Sequence, residues 1–284
     1  MSEMEKRTRA IIYLVITAIL WSLGGILIKS VKWNPVAIAG ARSAISSLVI
    51  LAYIRKPKFT WSSDQILAAI FYAGTVILFV SANKLTTAAN AILLQYGAPV
   101  YVAILGSIIL KEKTTISDWI TIAVVIFGMF LFFLDELQPG NLFGNIVAIL
   151  SGVAFALYII FMRKQKDESP IESTLLGNIL TAIIGLPFML NSSPTGSSWI
   201  GIVLLGTVQL GLSYILYSIA IKEVTALEAI LIPIIEPILN PIWVFLAMGE
   251  APGRWAFIGG VIILASVTLR YSIPAIRKTR ERYM

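Results

Sequence analysis

Glu236 is an acidic residue deep inside a long apolar stretch of the sequence. A charge near the middle of a lipid bilayer is costly, and residues of this kind usually face a cavity or a partner. We therefore predict that Glu236 binds a proton or the cationic group of a ligand. The alternative is a protonated or hydrogen-bonded acid that fixes helix packing. Asn240 follows four residues later, so on a helix it shares the face of Glu236.

Prolines surround Glu236 at a regular spacing, with Pro233, Pro237 and Pro241 each four residues apart. Each proline removes a backbone donor and strains the preceding helical turn. The carbonyl groups released in this way need polar partners within a membrane. The pattern predicts a kinked or gating helix beside a cavity, or alternatively a static kink. Pro99 predicts a second kink in an earlier helix.

Other apolar stretches carry polar and aromatic side chains at helical spacing. We predict that these side chains line the same cavity, and that Trp21 and Tyr158 stack on an aromatic or flat ligand. The alternatives are hydrogen bonds between helices and ordinary packing. The residues concerned are Gln95, Tyr96, Tyr101, Gln209, Ser213, Tyr214, Tyr217, Trp21 and Tyr158.

Three further charged residues have local explanations. Arg42 lies near the outer end of the second apolar stretch, where its side chain is expected to extend to the membrane interface. An ion pair with an acid and attraction of an anionic ligand are the alternatives for Arg42. Glu112 and Glu250 fall at helix ends, where a carboxylate is expected to accept hydrogen bonds from loop or helix-start amides.

The composition explains what positions these residues. Of the 284 residues, 58% are hydrophobic and 13% are charged, against about 25% charged in soluble domains. A membrane-spanning helix needs about 20 apolar residues. We predict an all-α membrane protein with ten transmembrane helices and no separate soluble domain. The predicted spans are 10–28, 35–54, 64–82, 88–110, 116–134, 141–162, 171–190, 199–220, 227–247 and 254–271.

The composition also excludes several classes of function. The chain has no Cys and no His, so thiol nucleophiles, imidazole bases and most zinc or haem ligands are missing. It has no Gly-rich phosphate-binding loop for ATP. We therefore expect no enzyme activity, no cofactor and no metal. The net charge of +7 comes from short basic clusters between apolar runs, which indicates membrane topology and not nucleic-acid binding.

The distribution of basic residues predicts the orientation. With a cytoplasmic N-terminus, 17 of the 22 Lys and Arg residues fall in inner segments and four in outer segments. Cytoplasmic loops are the ones enriched in Lys and Arg. Both termini are therefore predicted to be cytoplasmic, in the plasma or inner membrane. The expected partners are lipid, a small-molecule substrate and protons, and the chain is expected to be a monomer or a homodimer.

The sequence contains an internal repeat. Residues 84–112 align without a gap on residues 222–250 at an offset of 138, with nine identities in 29 positions. The identities include Lys84 with Lys222, Pro99 with Pro237, and Glu112 with Glu250, which apolar composition alone does not explain. We predict two five-helix repeats, 1–138 and 139–284. Because five is an odd number of spans, the second repeat must be inverted, as in many secondary transporters.

Several stretches match a known pattern: Pro99 to Glu112, Pro237 to Glu250, Leu20-Trp21-Ser22, Phe155-Ala156-Leu157-Tyr158 to Arg163-Lys164, and Arg42 after Ala39-Gly40-Ala41. With the ten predicted spans and the repeat, they resemble the EamA family of the drug/metabolite transporter superfamily. The resemblance implies a secondary transporter that moves small metabolites, such as amino acids or other amphipathic solutes, out of the cell by alternating access. Coupling to protons and uncoupled transport both stay open, and a channel or facilitator is the alternative. Phe155, where many members have Trp, and 251–253 depart from the family pattern.

Overall fold

A computed structural model describes residues 3–86, 88–134, 142–196, 198–239 and 253–283. Within these ranges the chain is helical and contains no strand. Seven of its helices are long and apolar enough to cross a membrane. They are Met4–Ile28, Pro35–Ile54, Ser63–Leu85, Asn90–Ile109, Leu142–Lys164, Pro170–Leu190 and Ser198–Ala220.

The finer division gives the following elements, which we number in chain order. They are α1 (Glu3–Ser22), α2 (Gly24–Ser30), α3 (Pro35–Ile54), α4 (Ser63–Leu85), α5 (Ala88–Gln95), α6 (Ala98–Ile109), α7 (Ile116–Phe132), α8 (Leu142–Lys164), α9 (Pro170–Leu190), α10 (Ser198–Leu204), a π-helical segment (Leu205–Leu212), α11 (Ser213–Ala220), α12 (Ala226–Leu231), a 3₁₀ turn (Ile232–Ile235) and α13 (Arg254–Tyr283).

Three predicted spans differ from these seven long helices. The fifth is α7, which is apolar but shorter. The ninth begins with α12 and its 3₁₀ turn and is described only as far as residue 239. The tenth is the start of α13, which continues to Tyr283, well past the predicted end at 271. Asn240, Pro241 and Glu250 lie outside the described residues.

Side-chain caps fix where several helices begin. Asn34 accepts hydrogen bonds from the amides of Val36 and Ala37, with Pro35 in the first turn of α3. Thr115 and Asp118 form a reciprocal capping box at the start of α7. Thr225 and Glu228 form another at the start of α12. Each cap satisfies helix-start amides that have no partner inside the helix.

Glycines allow two pairs of helices to approach at backbone distance. A Cβ on Gly40 of α3 would lie 2.7 Å from Cα of Gly185 in α9. A Cβ on Gly259 of α13 would lie 2.4 Å from the carbonyl oxygen of Gly128 in α7. Within a membrane, helices associate through such small residues because lipid removes the hydrophobic driving force between them.

The helix contacts follow a repeating pattern. α4 packs on α8, while α1 packs on α11. α4 also contacts α9, while α3 contacts the π-helical segment. α3 packs on α9, and α7 packs on α13. These pairs bury the apolar stripes of the helices and leave many large apolar side chains exposed on the outside, as a lipid-facing surface requires.

Four ion pairs in the described chain lie at helix ends or in the segments that flank them, and we call this end of the bundle the basic end. They join Arg7 to Glu228, Arg163 to Glu112 at 2.9 Å, Lys164 to Asp64 at 2.9 Å, and Arg270 to Asp118 at 2.6 Å. As predicted for Glu112, its other carboxylate oxygen accepts a hydrogen bond from a helix-start amide, that of Ala226, at 2.9 Å.

Candidate functional site

A small cavity of about 50 Å³ lies between the helices. Its walls combine two charged side chains, amides, and aromatic or aliphatic groups. Six of the predicted site residues are among its lining: Trp21, Gln95, Tyr96, Gln209, Tyr214 and Glu236. The other lining residues are Arg42, Thr75, Val76, Phe79, Phe155 and Leu210.

Two interrupted helices bring Glu236 and Tyr96 together. The chain leaves helical geometry at Tyr96 and Gly97, between α5 and α6, and Pro99 follows in the first turn of α6. Glu236 comes directly after the 3₁₀ turn, which contains Pro233, and Pro237 is buried beside it. The phenol of Tyr96 donates a hydrogen bond of 2.7 Å to Oε2 of Glu236. Irregular backbone at membrane depth is tolerated where it lines a cavity or is buried in protein.

Arg42 occupies another wall of the cavity. Its side chain is 2% exposed, and its Nη1 donates a hydrogen bond of 3.2 Å to Oε1 of Gln209. The prediction that Arg42 extends to the membrane interface is therefore wrong. α3 packs against α9 and the π-helical segment, so the Arg42 side chain is enclosed by protein. Its Nε has no hydrogen-bond partner, and no described acid lies within 4.0 Å of it.

A chain of hydrogen bonds holds Gln95 in place. Nε2 of Gln95 donates to the hydroxyl of Ser151 at 2.7 Å, and Ser151 donates to the carbonyl of Thr75 at 3.3 Å. This chain links α5, α8 and α4. α8 can come this close because residue 152 is a glycine, where a Cβ would lie 2.8 Å from the carbonyl oxygen of Gln95.

Trp21 forms the aromatic part of the lining. Its indole N–H donates a hydrogen bond of 3.0 Å to the hydroxyl of Ser213, which fixes the ring in α1 against α11. The ring centroid lies 5.1 Å from that of Tyr214 and 5.3 Å from that of Tyr217. Ser213 and Tyr217 are fully buried, so they support Trp21 from behind.

Like Tyr217, the predicted site residues Tyr158 and Tyr101 are not among the residues that line the cavity. Tyr158 is fully buried, and its hydroxyl shares a hydrogen bond of 2.9 Å with that of Thr174. Tyr101 packs on the apolar core one turn after the helix interruption, with its ring near Gly97. The Tyr158 hydroxyl therefore joins α8 to α9 in this structure.

The π-helical segment explains which face of the eighth predicted span reaches the cavity. In a π-helix, hydrogen bonds join residues five apart, so the side-chain register shifts relative to an α-helix. Gln209 and Tyr214, five apart, both line the cavity, whereas Ser213 lies behind it. Gly206 belongs to the same segment, and a Cβ there would lie 2.8 Å from the carbonyl oxygen of Arg42.

The sequence interpretation missed Phe155 as a lining residue, although a signal for it was present. Trp21 and Phe155 align in the repeat at an offset of 134. Their rings meet edge to face, with centroids 5.9 Å apart. The repeat partner of a predicted lining residue was therefore itself a candidate. No comparable signal pointed to Val76, Phe79 or Leu210, which are ordinary apolar residues in apolar helices.

Known proteins resemble this chain along most of its length. An uncharacterized transporter of Archaeoglobus fulgidus is 26% identical over 91% of this chain and 94% of its own length. The threonine/homoserine exporter RhtA of Salmonella typhimurium is 22% identical over 53% of this chain and 51% of its own. A solved structure described as "Crystal structure of protein" superposes with a TM-score of 0.81 at 18% identity, covering 94% of this chain and 98% of that one, which shows a shared fold.

A family model covers nearly all of the chain in two segments. The model of the EamA-like transporter family matches residues 8–134 and again residues 142–272. Together with the long apolar helices, this match makes the protein an integral membrane protein of a class whose members are transporters and not enzymes. The chain belongs to the EamA-like transporter family, and it is a transporter of small solutes.

Proposed function

We propose that this protein is a ten-span secondary transporter that exports small amphipathic metabolites by alternating access, with Glu236 as the group that couples export to protons. The observation that carries the proposal is the hydrogen bond between Tyr96 and Glu236. It joins a residue of the first predicted repeat to a residue of the second, at the wall of a cavity between them.

Support for ten crossings comes from the helix ends that meet at each side of the bundle. Beside the ion pairs of the basic end, a second set of contacts joins the opposite ends. Lys84 donates to the carbonyl of Val31, and Thr86 donates to the side chain of Asn145 at 2.8 Å. Over the described parts of the first eight predicted spans, the chain passes alternately from one of these ends to the other. The basic end is the cytoplasmic one in the proposed orientation, with both termini inside the plasma or inner membrane.

Support for inverted repeats 1–138 and 139–284 comes from the helix contacts. The contact of α4 with α8 has its repeat counterpart in the contact of α11 with α1. α3 and α9 are repeat equivalents of each other, as are α7 and α13, so the repeat relation maps each of these two contacts onto itself. A pseudo-twofold axis produces this pattern, and equivalent helices would then run in opposite directions. Two such halves can rock about a shared site and open it to each side in turn.

The cavity walls favour an amphipathic solute. Trp21, Phe155 and Val76 supply apolar surface, while Gln95 and Gln209 supply amide groups. Among the described lining residues Arg42 is the one basic side chain, which does not suit phosphate esters with several negative charges. Since the described lining residues all come from a single chain, the proposal requires only a monomer for transport.

Glu236 can link the solute to a proton through competition. The ionised carboxylate accepts the hydrogen bond from Tyr96, and a cationic group of a solute can take the same place. A proton that binds the carboxylate removes its charge and releases the cationic group. Solute and proton would therefore occupy Glu236 alternately, as exchange of an outgoing solute for an incoming proton requires.

Counterflow in proteoliposomes tests this function. Vesicles loaded with a candidate solute should accumulate its labelled form in a saturable way, whereas a channel would give unsaturated flux or single-channel currents. Glu236→Gln should abolish the pH dependence of exchange, while Glu223→Gln, at an exposed position, should leave it unchanged. If Glu236→Gln shows the same uptake as the unaltered protein at every pH, the coupling role of Glu236 is wrong.

A further inference from the structure

Arg42 is a buried guanidinium group without a counterion in the described chain. It is 2% exposed, its Nη1 donates a hydrogen bond to the neutral amide of Gln209, and its Nε has no hydrogen-bond partner. A buried charge is tolerated when it is paired, and it is strongly unfavourable otherwise. In membrane proteins such residues commonly mark the path of a substrate or ion. The missing counterion is therefore an indication of a negatively charged ligand.

The surroundings of Arg42 hold it in position at the cavity. Gln209, in the π-helical segment, orients the guanidinium group by accepting its Nη1–H. Gly206 lets that segment approach the backbone of Arg42, since a Cβ at 206 would lie 2.8 Å from the carbonyl oxygen of Arg42. Glu236 lines the same cavity, and its Oε2 is already engaged by Tyr96. The cavity thus holds one positive and one negative group. No salt bridge joins the two groups, so their charged atoms lie more than 4.0 Å apart.

We propose that Arg42, oriented by Gln209, is the subsite for a solute carboxylate, and that the cavity selects zwitterions with one carboxylate and one cationic nitrogen. This inference rests on the proposed transport function and names its substrate class. The carboxylate binds Arg42, the cationic nitrogen binds Glu236, and the remainder of the solute packs on Trp21 and Phe155.

Charge balance is the reason for preferring a zwitterion. A simple cation would satisfy Glu236 and leave Arg42 without a counterion. A simple anion would satisfy Arg42 and leave the Glu236 carboxylate facing a second negative charge. A zwitterion supplies both counterions at once and adds no net charge to a site enclosed by apolar walls, where uncompensated charge is most costly.

Binding measurements on the purified protein test the substrate class. The twenty standard L-amino acids are compared by thermal shift, and the one that stabilises most is titrated against its amide and its deaminated carboxylic acid. The amide lacks the carboxylate and the deaminated acid lacks the cationic nitrogen. Both analogues should bind at least about tenfold more weakly, as expected for the loss of a hydrogen bond to a charged group. Equal binding of the amino acid and its amide would overturn the carboxylate subsite.

Two variants test the role of Arg42 itself. Arg42→Gln should weaken binding of the amino acid by about tenfold to a hundredfold and change binding of its amide little. Gln209→Glu keeps Arg42 and gives it a permanent carboxylate partner at the position of the present 3.2 Å hydrogen bond. It should therefore fold stably and still lose the amino acid. Arg9→Gln removes an exposed guanidinium group over the ring of Tyr13 and serves as the matched control.

The outcomes separate this inference from the proposed transport function. If Arg42→Gln does not fold, Gln209→Glu decides, and wild-type binding of the amino acid by Gln209→Glu overturns the inference. If no amino acid binds while a cationic or neutral solute shows saturable counterflow, the zwitterion selectivity is wrong and the carrier function stands. If no solute of any class shows saturable counterflow, the carrier function itself fails.

Discussion

A single carboxylate at the basic end ties together parts of both predicted repeats, and its removal should change which side of the membrane reaches the cavity. Glu112 accepts a hydrogen bond of 2.9 Å from Nε of Arg163 and another of 2.9 Å from the amide of Ala226. Arg163 also donates to the carbonyl groups of Ile221 and Lys222, at 3.0 Å and 2.8 Å. We call Glu112, Arg163 and the Ala226 amide the Glu112 cluster. Because it joins the ends of α8, α11 and α12 to the loop after α6, it favours a closed basic end.

The size of the effect follows from the contacts that Glu112→Gln would weaken. A hydrogen bond to a charged group contributes about 1.5–3 kcal/mol when it is buried. The side chain of Arg163 is 12% exposed and that of Glu112 is 26% exposed, so solvent reduces this contribution. A loss of about 1–2 kcal/mol remains, which changes the ratio of two conformations by roughly 5-fold to 30-fold. The population with an open basic end should rise by this factor.

Cysteine accessibility can measure this shift without further engineering, because the chain has no cysteine. Phe79→Cys places a thiol at the cavity, where a membrane-impermeant maleimide can report access from each side. In the proposed orientation the basic end faces the outside of inside-out vesicles. As long as the conformation with an open basic end is the minor one, Glu112→Gln should therefore raise the labelling rate of that thiol about tenfold in these vesicles. In right-side-out vesicles the rate should fall or stay the same.

A matched control variant removes a more exposed ion pair at the same end, for comparison with Glu112→Gln. Asp64→Asn breaks the ion pair with Lys164, which lies at the same end but is 43% exposed on the lysine side and 29% exposed on the aspartate side. An exposed pair of this kind contributes little, so Asp64→Asn should change labelling less than about threefold. The reasoning would be refuted if Glu112→Gln left inside labelling unchanged, or if it increased labelling from the outside instead.

Two further predictions concern packing and the cavity wall. Gly40→Ala should lower the thermal unfolding temperature in detergent, since its Cβ would lie 2.7 Å from the Gly185 backbone and overpacking costs about 1–3 kcal/mol. Gly196→Ala, which has open space around it, should leave that temperature unchanged, and equal shifts for the two would contradict the close contact. Phe155→Ala should raise the KM of counterflow severalfold, whereas Tyr217→Phe, buried behind the wall, should not; a larger change for Tyr217→Phe would reverse the assignment.

The sequence predicted the helices well, because membrane helices are determined by hydropathy and length. Elements such as α3, Pro35–Ile54, and α9, Pro170–Leu190, begin and end within a residue of their predicted bounds. Their limits follow from local signals, namely Asn34 and Pro35 at one start and Pro170 at the other. These signals act within one turn and need no knowledge of the rest of the fold.

Helix rotation and side-chain direction were harder to predict. Helical spacing grouped Gln209 with Ser213 and Tyr217, but the π-helical segment places Gln209 on one face with Tyr214 instead. A π-helix depends on tertiary contacts, which a one-dimensional period does not contain. Arg42 was misplaced for a related reason. Depth along a helix suggested the interface, while the direction of its side chain depends on which helices pack around it.

The two interrupted helices show which features of the site the two repeats share and which they do not. Pro99 and Pro237 are repeat equivalents, and in both halves the chain leaves α-helical geometry within three to five residues before them. The backbone irregularity is therefore a shared property of the two halves. The chemistry is not shared, because Glu236 aligns with Ala98 at the offset of 138.

This asymmetry has a physical reason. If both halves carried an acid at the equivalent position, two carboxylates would face one enclosed cavity, and their repulsion would oppose ionisation of either. With Ala98 in place of a second acid, Tyr96 from the first half can donate its hydroxyl to Glu236 of the second. In the proposed mechanism, a relative movement of the halves would then change the partner of Glu236 directly. Under the proposed mechanism, repeat symmetry would provide the motion, and the loss of symmetry at this position would let the motion act on a single proton or ligand site.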